Sequence, residues 1–90
     1  MPSNTLTLIN PLGLHARAAS KLVDVTKAFS STVTLTKEGK TVDGKSIMSV
    51  LLLGAPVGST LDIEVTGEDE EAAMTAICSL IEAGFHELED

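Results

Sequence analysis

The sequence predicts an α+β fold, an open-faced two-layer sandwich in which a four-stranded antiparallel sheet carries three helices on one face. Four short segments alternate apolar and polar residues, a pattern typical of strands with one face in water. Three other segments repeat apolar residues at intervals of three and four, which is typical of helices with one buried stripe. Their order along the chain is βαββαβα. Because each strand has a single apolar face, we expect all three helices to cover that face.

Strands and one helix fill the first half of the chain. Leu6 and Leu8 fall on one side of the first alternating segment, and a cluster of Asn, Pro and Gly ends it. The predicted elements of this half are a strand over 5–9, a turn over 10–13, a helix over 16–29 and two short strands around 33–35 and 42. The turn sequence Lys-Glu-Gly-Lys between the last two strands predicts a hairpin.

The second half begins with a short helix whose ends are marked in the sequence. Ser46 is a favourable N-cap, and Gly54 and Pro56 stop the helix after residues 47–53. The remaining predicted elements are a strand over 61–65 and a helix that begins in the acidic run 68–71 and ends before Gly84.

Length and composition narrow the class of protein. Ninety residues correspond to one domain, 1–90, and 43% hydrophobic with 21% charged residues is an ordinary soluble composition. The longest apolar run extends only from Val50 to Leu53, far short of the roughly 20 residues of a membrane helix. The first residues also lack the features of a signal peptide. We therefore expect a cytoplasmic protein without membrane insertion.

Charge is distributed unevenly along the chain. The first half holds all six Lys and Arg residues against three acidic ones, whereas the second half has ten acidic residues and no basic one. An acidic half repels nucleic acid, which argues against nucleic-acid binding. The basic half suits an acidic protein or a phosphate group.

The sequence gives no reason to expect metal or disulfide chemistry. Cys78 is the single cysteine, and His15 and His86 are the two histidines, so neither an internal disulfide nor an ordinary zinc site can be assembled. Cys78 lies in an apolar helical stretch and is interpreted as a small core residue. His86 lies among acidic residues and is interpreted as a solvated surface residue. No metal and no cofactor are expected.

The sequence contains one stretch that matches a nucleotide-binding motif in its residue pattern but not in its predicted structure. Residues 39–46 match the P-loop pattern G-x-x-x-x-G-K-S. A true P-loop follows a buried strand of a parallel sheet and opens a long helix, whereas this stretch contains a predicted hairpin strand and precedes a helix of about two turns. We therefore do not expect ATP binding.

A histidine at the predicted mouth of a helix is the strongest candidate for chemistry. His15 stands beside the first-turn amides of Ala16 and Arg17 and two residues before the Arg17 guanidinium. The positive helix end and the guanidinium oppose a second positive charge on the imidazole, which leaves a ring nitrogen available as a nucleophile. The same groups suit a dianionic phosphate. His15 is thus predicted to carry a phosphoryl group, with a plain capping role as the alternative.

The short second helix carries more apolar residues than one buried stripe requires. We expect Ile47, Met48 and Leu51 to form an exposed docking patch, with packing of all three into the core as the alternative. The basic residues expected to form a rim around this patch and to steer acidic partners are Arg17, Lys21, Lys27 and Lys45.

Three segments together resemble the histidine-containing phosphocarrier (HPr) family of the phosphoenolpyruvate-dependent sugar phosphotransferase system of bacteria. They are 10–17 (NPLGLHAR), 44–48 (GKSIM) and 66–70 (TGEDE), in an element order that also matches. The resemblance covers essentially the whole chain. One departure is Ala18, where many members have proline, and alanine is equally suited to a first helical turn.

The resemblance implies that His15 accepts a phosphoryl group on Nδ1 from enzyme I and passes it to enzyme IIA proteins, with Arg17 assisting. It also implies that Ser46 is phosphorylated by a regulatory HPr serine kinase where one exists. The chain would then be an intermediate in phosphoryl transfer rather than a stand-alone enzyme, and we expect it to act as a monomer. Two alternatives stay open: the nitrogen-related regulatory branch, which uses the same histidine chemistry, and a non-catalytic regulatory or ligand-binding domain.

Overall fold

Four strands and three α-helices follow one another in the predicted order. The computed structural model describes residues 3–86. The elements are β1 Ser3–Thr7, α1 Ala16–Thr26, β2 Thr32–Lys37, β3 Lys40–Asp43, α2 Ile47–Leu53, β4 Thr60–Thr66 and α3 Glu70–Glu82, followed by a 3-10 turn over Gly84–His86. In the described part of the chain no helix combines the length and the apolar character that crossing a bilayer requires.

The strands form one antiparallel sheet in the order β1-β4-β2-β3. The central strand β4 alternates strictly: Leu61, Ile63 and Val65 are buried, and the residues between them are exposed. In the register of β2 with β4, Val33 pairs with Val65 and Leu35 with Ile63, so the apolar side chains of both strands share one face. The prediction of half-wetted strands is confirmed for β2 and β4, whereas the edge strands β1 and β3 are mostly exposed.

The helices pack on the apolar face of this sheet. The buried residues of α1 are Ala18, Ala19, Leu22, Val23 and Thr26, and those of α3 are Ala73, Met74, Ile77, Leu80 and Ile81. Phe85 follows α3 and is also fully buried. The predicted open-faced sandwich is therefore the observed one.

The predicted C-terminal ends of β1 and α1 are wrong. The first strand ends at Thr7 rather than at residue 9, because Leu8 leaves the register with β4. Its backbone forms hydrogen bonds with Gly58 and Ser59 in the loop that precedes β4. Helix α1 ends at Thr26 rather than at Phe29. Beyond Thr26 the backbone bonds shorten to three-residue spacing, as in the 3.3 Å bond from the Phe29 amide to the Thr26 carbonyl.

Candidate functional site

His15 is the N-cap of α1, as the sequence predicts. Its backbone is extended, with φ −80° and ψ 179°, and its carbonyl accepts a 2.8 Å hydrogen bond from the Ala19 amide. Its ring nitrogen Nδ1 accepts a hydrogen bond from the Arg17 amide at 3.3 Å. The side chain is partly exposed to solvent. The imidazole therefore occupies the capping position and faces the first-turn amides.

A tight loop holds His15 at this position. The Gly13 amide donates to the Asn10 carbonyl at 3.1 Å, and the Asn10 side chain donates to the Gly13 carbonyl at 2.7 Å. Leu14 is buried and its amide donates to the Ala55 carbonyl at 2.8 Å. Gly13 has φ +64°, and a Cβ there would collide with the Ala55 carbonyl oxygen. Only glycine satisfies both constraints, so the loop geometry depends on it.

The capping contact determines what the ring can do. Because Nδ1 accepts a hydrogen bond, its lone pair points at the helix start and the proton of the neutral ring is on Nε2. An electrophilic group that displaces the Arg17 amide from Nδ1 meets a nucleophilic nitrogen. The displaced amide then lies next to that group. The Ala16 and Arg17 side chains are exposed. The arrangement thus suits the transient binding of an anionic group.

Ser46 caps α2 in a similar way. Its Oγ accepts a hydrogen bond from the Ser49 amide at 3.3 Å, and its side chain is partly exposed. The preceding turn is held by Asp43, whose carboxylate accepts a 2.9 Å bond from the Lys45 amide. At the other end of α2, Gly54 adopts the left-handed conformation that closes the helix. Both ends of α2 therefore agree with the sequence.

The exposed face of α2 differs by one residue from the prediction. Ile47 and Met48 are 40% and 68% exposed, but Leu51 is half-buried and packs against the core. Leu52, which the sequence reading did not single out, is 67% exposed. Helical spacing carries the missed signal, because Leu52 lies four residues after Met48 and shares its face. We call Ile47, Met48 and Leu52 the α2 patch.

Only part of the predicted basic rim is exposed to solvent. Lys27 and Arg17 are exposed, whereas Lys21 and Lys45 are half-buried. Lys21 Nζ donates to the Phe85 carbonyl and Lys45 Nζ to the Phe29 carbonyl, each at 2.7 Å. Both carbonyls lie just beyond a helix C-terminus, where lysines commonly bind.

Two further lysines hold the C-terminal end of α2, and the sequence reading did not identify them. Lys37 Nζ donates to the Gly54 carbonyl at 3.1 Å, and Lys40 Nζ donates to the Leu52 carbonyl at 2.9 Å. They lie at the tip of the hairpin between β2 and β3. The hairpin therefore helps to position the α2 patch, a role that only the packing of the two elements reveals.

A cluster around Asp69 joins the starts of β2 and α3. Its carboxylate accepts hydrogen bonds from the Ser30 amide at 2.9 Å, from the Ser31 amide at 3.0 Å and from the Ser31 hydroxyl. These bonds, that of the Ser31 hydroxyl first, lower the pKa of Asp69 to about 2. Gly67 lies against Ser31, where a Cβ would collide with the serine side chain.

Three other sequence features are not assigned to the site. Cys78 is half-buried and packs against the core, and burial raises the pKa of its thiol, while the Asn4 amide has a smaller opposing effect. His86 is exposed, as predicted. Strand β3 lies inside the P-loop-like stretch 39–46, which contradicts a phosphate-binding loop there. Among residues 3–86 no three His, Cys, Asp or Glu side chains are grouped to hold a metal ion.

Comparison with known proteins places this geometry in a family. Residues 2–83 match the family model described as the PTS HPr component phosphorylation site. The chain is 46% identical to the phosphocarrier protein HPr of Xylella fastidiosa over 97% of this chain and 98% of that one. It is 47% identical to the phosphocarrier protein NPr of Proteus mirabilis over 87% and 88% of the two chains.

The solved structures agree with the sequence comparison. The crystal structure of an HPr from Thermoanaerobacter tengcongensis superposes with a TM-score of 0.94 at 39% identity, covering 97% of this chain and 98% of that one. The family match and the shared fold thus extend over nearly the whole sequence, with the histidine-capped helix inside the matched range. The chain therefore belongs to the HPr family of phosphotransferase-system phosphocarriers.

Proposed function

We propose that His15 accepts a phosphoryl group on Nδ1 from phosphorylated enzyme I and passes it to an enzyme IIA protein. The observation that supports this most directly is the position of Nδ1, which faces the start of α1 and accepts the Arg17 amide at 3.3 Å. Family membership supports the type of reaction and implies both partners. In this proposal the chain acts as a single domain, 1–90, and as a cytoplasmic monomer.

The transfer step uses the lone pair that the cap contact orients. Nδ1 forms a bond to phosphorus while the bond between phosphorus and the donor atom breaks, and that electron pair stays with the donor. The Nε2 proton remains on the ring. The second transfer reverses this change, because Nδ1 is then the leaving atom and an acceptor nucleophile on enzyme IIA takes the phosphoryl group. The chain is thereby returned to its starting state.

The helix start and Arg17 stabilise the phosphorylated state in this proposal. The amides of Ala16 and Arg17 lie in the first turn, where helix N–H groups are available to phosphate oxygens. The exposed Arg17 guanidinium adds a positive charge that can turn toward the phosphate. Because these interactions are made at a surface, the phosphoryl group stays accessible to the acceptor.

In this proposal, partners dock on the α2 patch and on the basic residues of the predicted rim. The α2 patch supplies apolar area, with half-buried Leu51 at its margin. Arg17 and Lys27 supply exposed positive charge, and Lys21 and Lys45 contribute charge while their ammonium groups bind backbone carbonyls. An acidic partner would be attracted by the charges and retained by the apolar contacts.

The proposal is tested by identifying which ring nitrogen carries the phosphorus. Incubation with phosphoenolpyruvate and enzyme I should add one phosphoryl group, about 80 Da, in an acid-labile form. In protein labelled with ¹⁵N at histidine, NMR should detect coupling to phosphorus at Nδ1 of His15. Phosphorus on Nε2, or on His86, would contradict the assignment made from the capping geometry.

A regulatory role for Ser46 is a second proposal, supported by its place beside the α2 patch. Its partly exposed hydroxyl precedes Ile47 directly. A phosphate there adds a charge of about −1.5 to −2 next to Lys45 and the docking surface, which would repel an acidic partner. This role requires a serine kinase. Incubation with ATP and an HPr serine kinase should phosphorylate the chain but not its Ser46→Ala variant.

The relatives come from two branches, so the branch in which this chain transfers its phosphoryl group is a separate question. The chain resembles proteins named HPr and one named NPr at similar identity. We propose the sugar branch, because the segment 44–48 favours it. Phosphorylated protein should then transfer faster to a sugar-specific enzyme IIA than to its nitrogen-related counterpart, and the reverse ranking would assign it to the nitrogen-related branch.

A further inference from the structure

A buried amide side chain lies in the loop before α1. Asn10 is 0% exposed, although asparagine is usually a surface residue. Its side chain can donate and accept hydrogen bonds, and burying such a group costs free energy unless those bonds are made inside the protein. The bonds that Asn10 makes therefore show what its burial achieves.

Asn10 binds the carbonyl group to which the His15 backbone is also bound. The Asn10 Nδ2 atom donates to the Gly13 carbonyl oxygen at 2.7 Å, and the His15 amide donates to the same oxygen at 3.0 Å. The Gly13 amide in turn donates to the Asn10 carbonyl at 3.1 Å. Asn10 thus holds both backbone polar groups of Gly13, two residues before the histidine.

The Asn10 side chain fixes this carbonyl more firmly than the turn itself does. Gly13 and His15 are two residues apart, and a hydrogen bond over so short a span is bent and weak. The bond from Asn10 Nδ2 is shorter and starts from a buried group. Pro11 restricts the backbone of Asn10 to extended conformations, which limits the positions from which the side chain can act. The direction of the Gly13 carbonyl therefore depends mainly on Asn10.

The orientation of the His15 ring depends in turn on this backbone. The contact between Nδ1 and the Arg17 amide is 3.3 Å long, at the upper end of the range for a hydrogen bond. A small rotation of the His15 backbone is enough to break a contact of that length. The Nδ1 lone pair then loses its fixed direction, and the ring proton is no longer confined to Nε2.

We propose that Asn10 is a positioning residue for phosphoryl transfer, which fixes the Gly13 carbonyl and through it the direction of the Nδ1 lone pair of His15. Its side chain is fully buried, so it contacts neither the phosphoryl group nor a partner. The inference rests on the proposed function, in which His15 is the nucleophile. It assigns to Asn10 an effect on the rate of the transfer step and none on partner binding.

The kinetic test separates the transfer step from binding. Asn10→Ala is mixed with phosphorylated enzyme I, and single-turnover transfer is followed by rapid quenching at several concentrations of the chain. The maximal rate constant should fall about tenfold, because a misdirected nucleophile is seldom in the reactive geometry. The half-saturating concentration should stay within about twofold of that of the parent.

Thr26→Val is the matched control. Thr26 is also fully buried, and its hydroxyl donates to the Gly44 carbonyl at 2.8 Å, at the opposite end of α1 from His15. The variant therefore loses a buried bond from a side chain to a backbone carbonyl, as Asn10→Ala does. It should lower the melting temperature by a similar amount, while its maximal rate constant stays within about twofold of that of the parent.

The His15 ring can be observed without enzyme I. At about pH 9 the imidazole is neutral, and ¹⁵N NMR of the parent should give widely separated resonances for Nδ1 and Nε2, as expected for a proton held on Nε2. In Asn10→Ala the two resonances should move toward each other, because the proton is shared between both nitrogens. In Thr26→Val they should stay where they are in the parent.

The parent protein offers a measurement that needs no variant. The sequence contains two asparagines, Asn4 and Asn10, and no glutamine, so NMR shows two side-chain amide groups. The amide protons of buried Asn10 should exchange slowly with solvent, and their resonances should shift when His15 is phosphorylated. Asn4 is exposed on β1 and serves as the internal reference, which should show neither effect.

The outcomes distinguish this inference from the proposed function. Equal losses of the maximal rate constant in Asn10→Ala and Thr26→Val would overturn the inference, as would His15 nitrogen resonances that Asn10→Ala leaves unchanged. If Asn10→Ala does not fold, the Asn10 resonances of the parent decide: a shift on phosphorylation supports the inference, and its absence overturns it. If the parent is not phosphorylated at His15, the proposed function fails, while the ring resonances still report whether Asn10 positions His15.

Discussion

The starts of α1 and α2 use related capping contacts, to the second and the third amide of the helix respectively, for different chemistry. At α1 the His15 Nδ1 atom accepts the Arg17 amide at 3.3 Å, and at α2 the Ser46 Oγ atom accepts the Ser49 amide at 3.3 Å. The imidazole nitrogen has a lone pair that needs no deprotonation and can both bind and release a phosphoryl group, whereas a hydroxyl must first lose its proton to a base. The type of capping atom therefore decides which helix start can serve as a carrier.

The surroundings of the two helix starts differ as well. His15 follows a hydrogen-bonded, uncharged loop and precedes the exposed side chain of Arg17. Ser46 follows Lys45, whose ammonium group binds the Phe29 carbonyl, and precedes the apolar α2 patch. A charge added at His15 thus meets a guanidinium that is exposed to solvent, while a charge added at Ser46 lies next to a docking surface.

Removing the nucleophile has the largest expected effect. His15→Ala should abolish phosphorylation by enzyme I, because it removes Nδ1, the nitrogen that faces the α1 start. Loss of the cap should lower the free energy of unfolding by only about 1 kcal/mol. Phosphate incorporation and thermal melting check both statements. His86→Ala is the control, since this exposed histidine should be dispensable for transfer. Labelling of the His15→Ala protein would refute the distinction between the two helix starts.

A charge in the α2 patch should weaken docking without unfolding the protein. Met48→Asp should raise the apparent Michaelis constant with enzyme I tenfold or more, because a carboxylate replaces an exposed apolar contact. Its melting temperature should stay close to that of the parent. Leu51→Asp is the matched comparison, since Leu51 packs against the core and a charge there should lower the melting temperature markedly. Equal melting losses in both variants would show that Met48 also supports the core.

A charge at the α2 start should slow transfer while preserving the helix. Ser46→Asp should raise the apparent Michaelis constant about fivefold to tenfold through repulsion of an acidic partner. It should keep or raise the melting temperature, because a carboxylate is favourable at a helix N-terminus. Ser46→Ala should transfer normally and melt slightly lower, having lost the bond to the Ser49 amide. Transfer by Ser46→Asp at the parent's rate, at low salt and low enzyme I, would remove the block to docking from the proposal.

The start of α3 provides a third case and the smallest predicted effect. Asp69 is its N-cap, but the carboxylate makes no capping bond and binds Ser30 and Ser31 instead. Because folding lowers its pKa to about 2, Asp69 stabilises the fold above about pH 4, and this contribution is lost as the pH falls toward 2. Asp69→Asn should therefore melt lower at pH 7, and the difference should shrink below pH 4. Melting curves measured between about pH 2 and pH 7 check this. A difference that is independent of pH would contradict the assigned role.

Much of the fold was predictable because its signals are local. The strict alternation of β4 and the helical spacing of α3 come from burial on one face, which the residue pattern records directly. The exit from β1 was not predictable. Leu8 is apolar and continues the alternation, but its backbone pairs with the loop at Gly58 and Ser59. Such pairing depends on a segment fifty residues away, so the pattern around Leu8 contains no trace of it.

The candidate site shows the same division. The capping roles of His15 and Ser46 were predictable, since a cap depends on the residue and the few amides that follow it. The roles of the lysines were not. Lys21 and Lys45 were expected in an open basic rim, yet each binds a carbonyl beyond a helix end that is distant in sequence.

By itself, the sequence determined the order of the elements, the three helix starts, the apolar excess of α2 and the family to which the chain belongs. The tertiary structure decided which apolar residues stay exposed, exchanging Leu51 for Leu52 in the α2 patch and leaving Ile9, Leu12 and Val57 exposed on loops. The physical reason is the range of the interactions involved. Caps and periodic burial act within one or two turns of chain, whereas the exposure of a side chain depends on which distant segment packs against it.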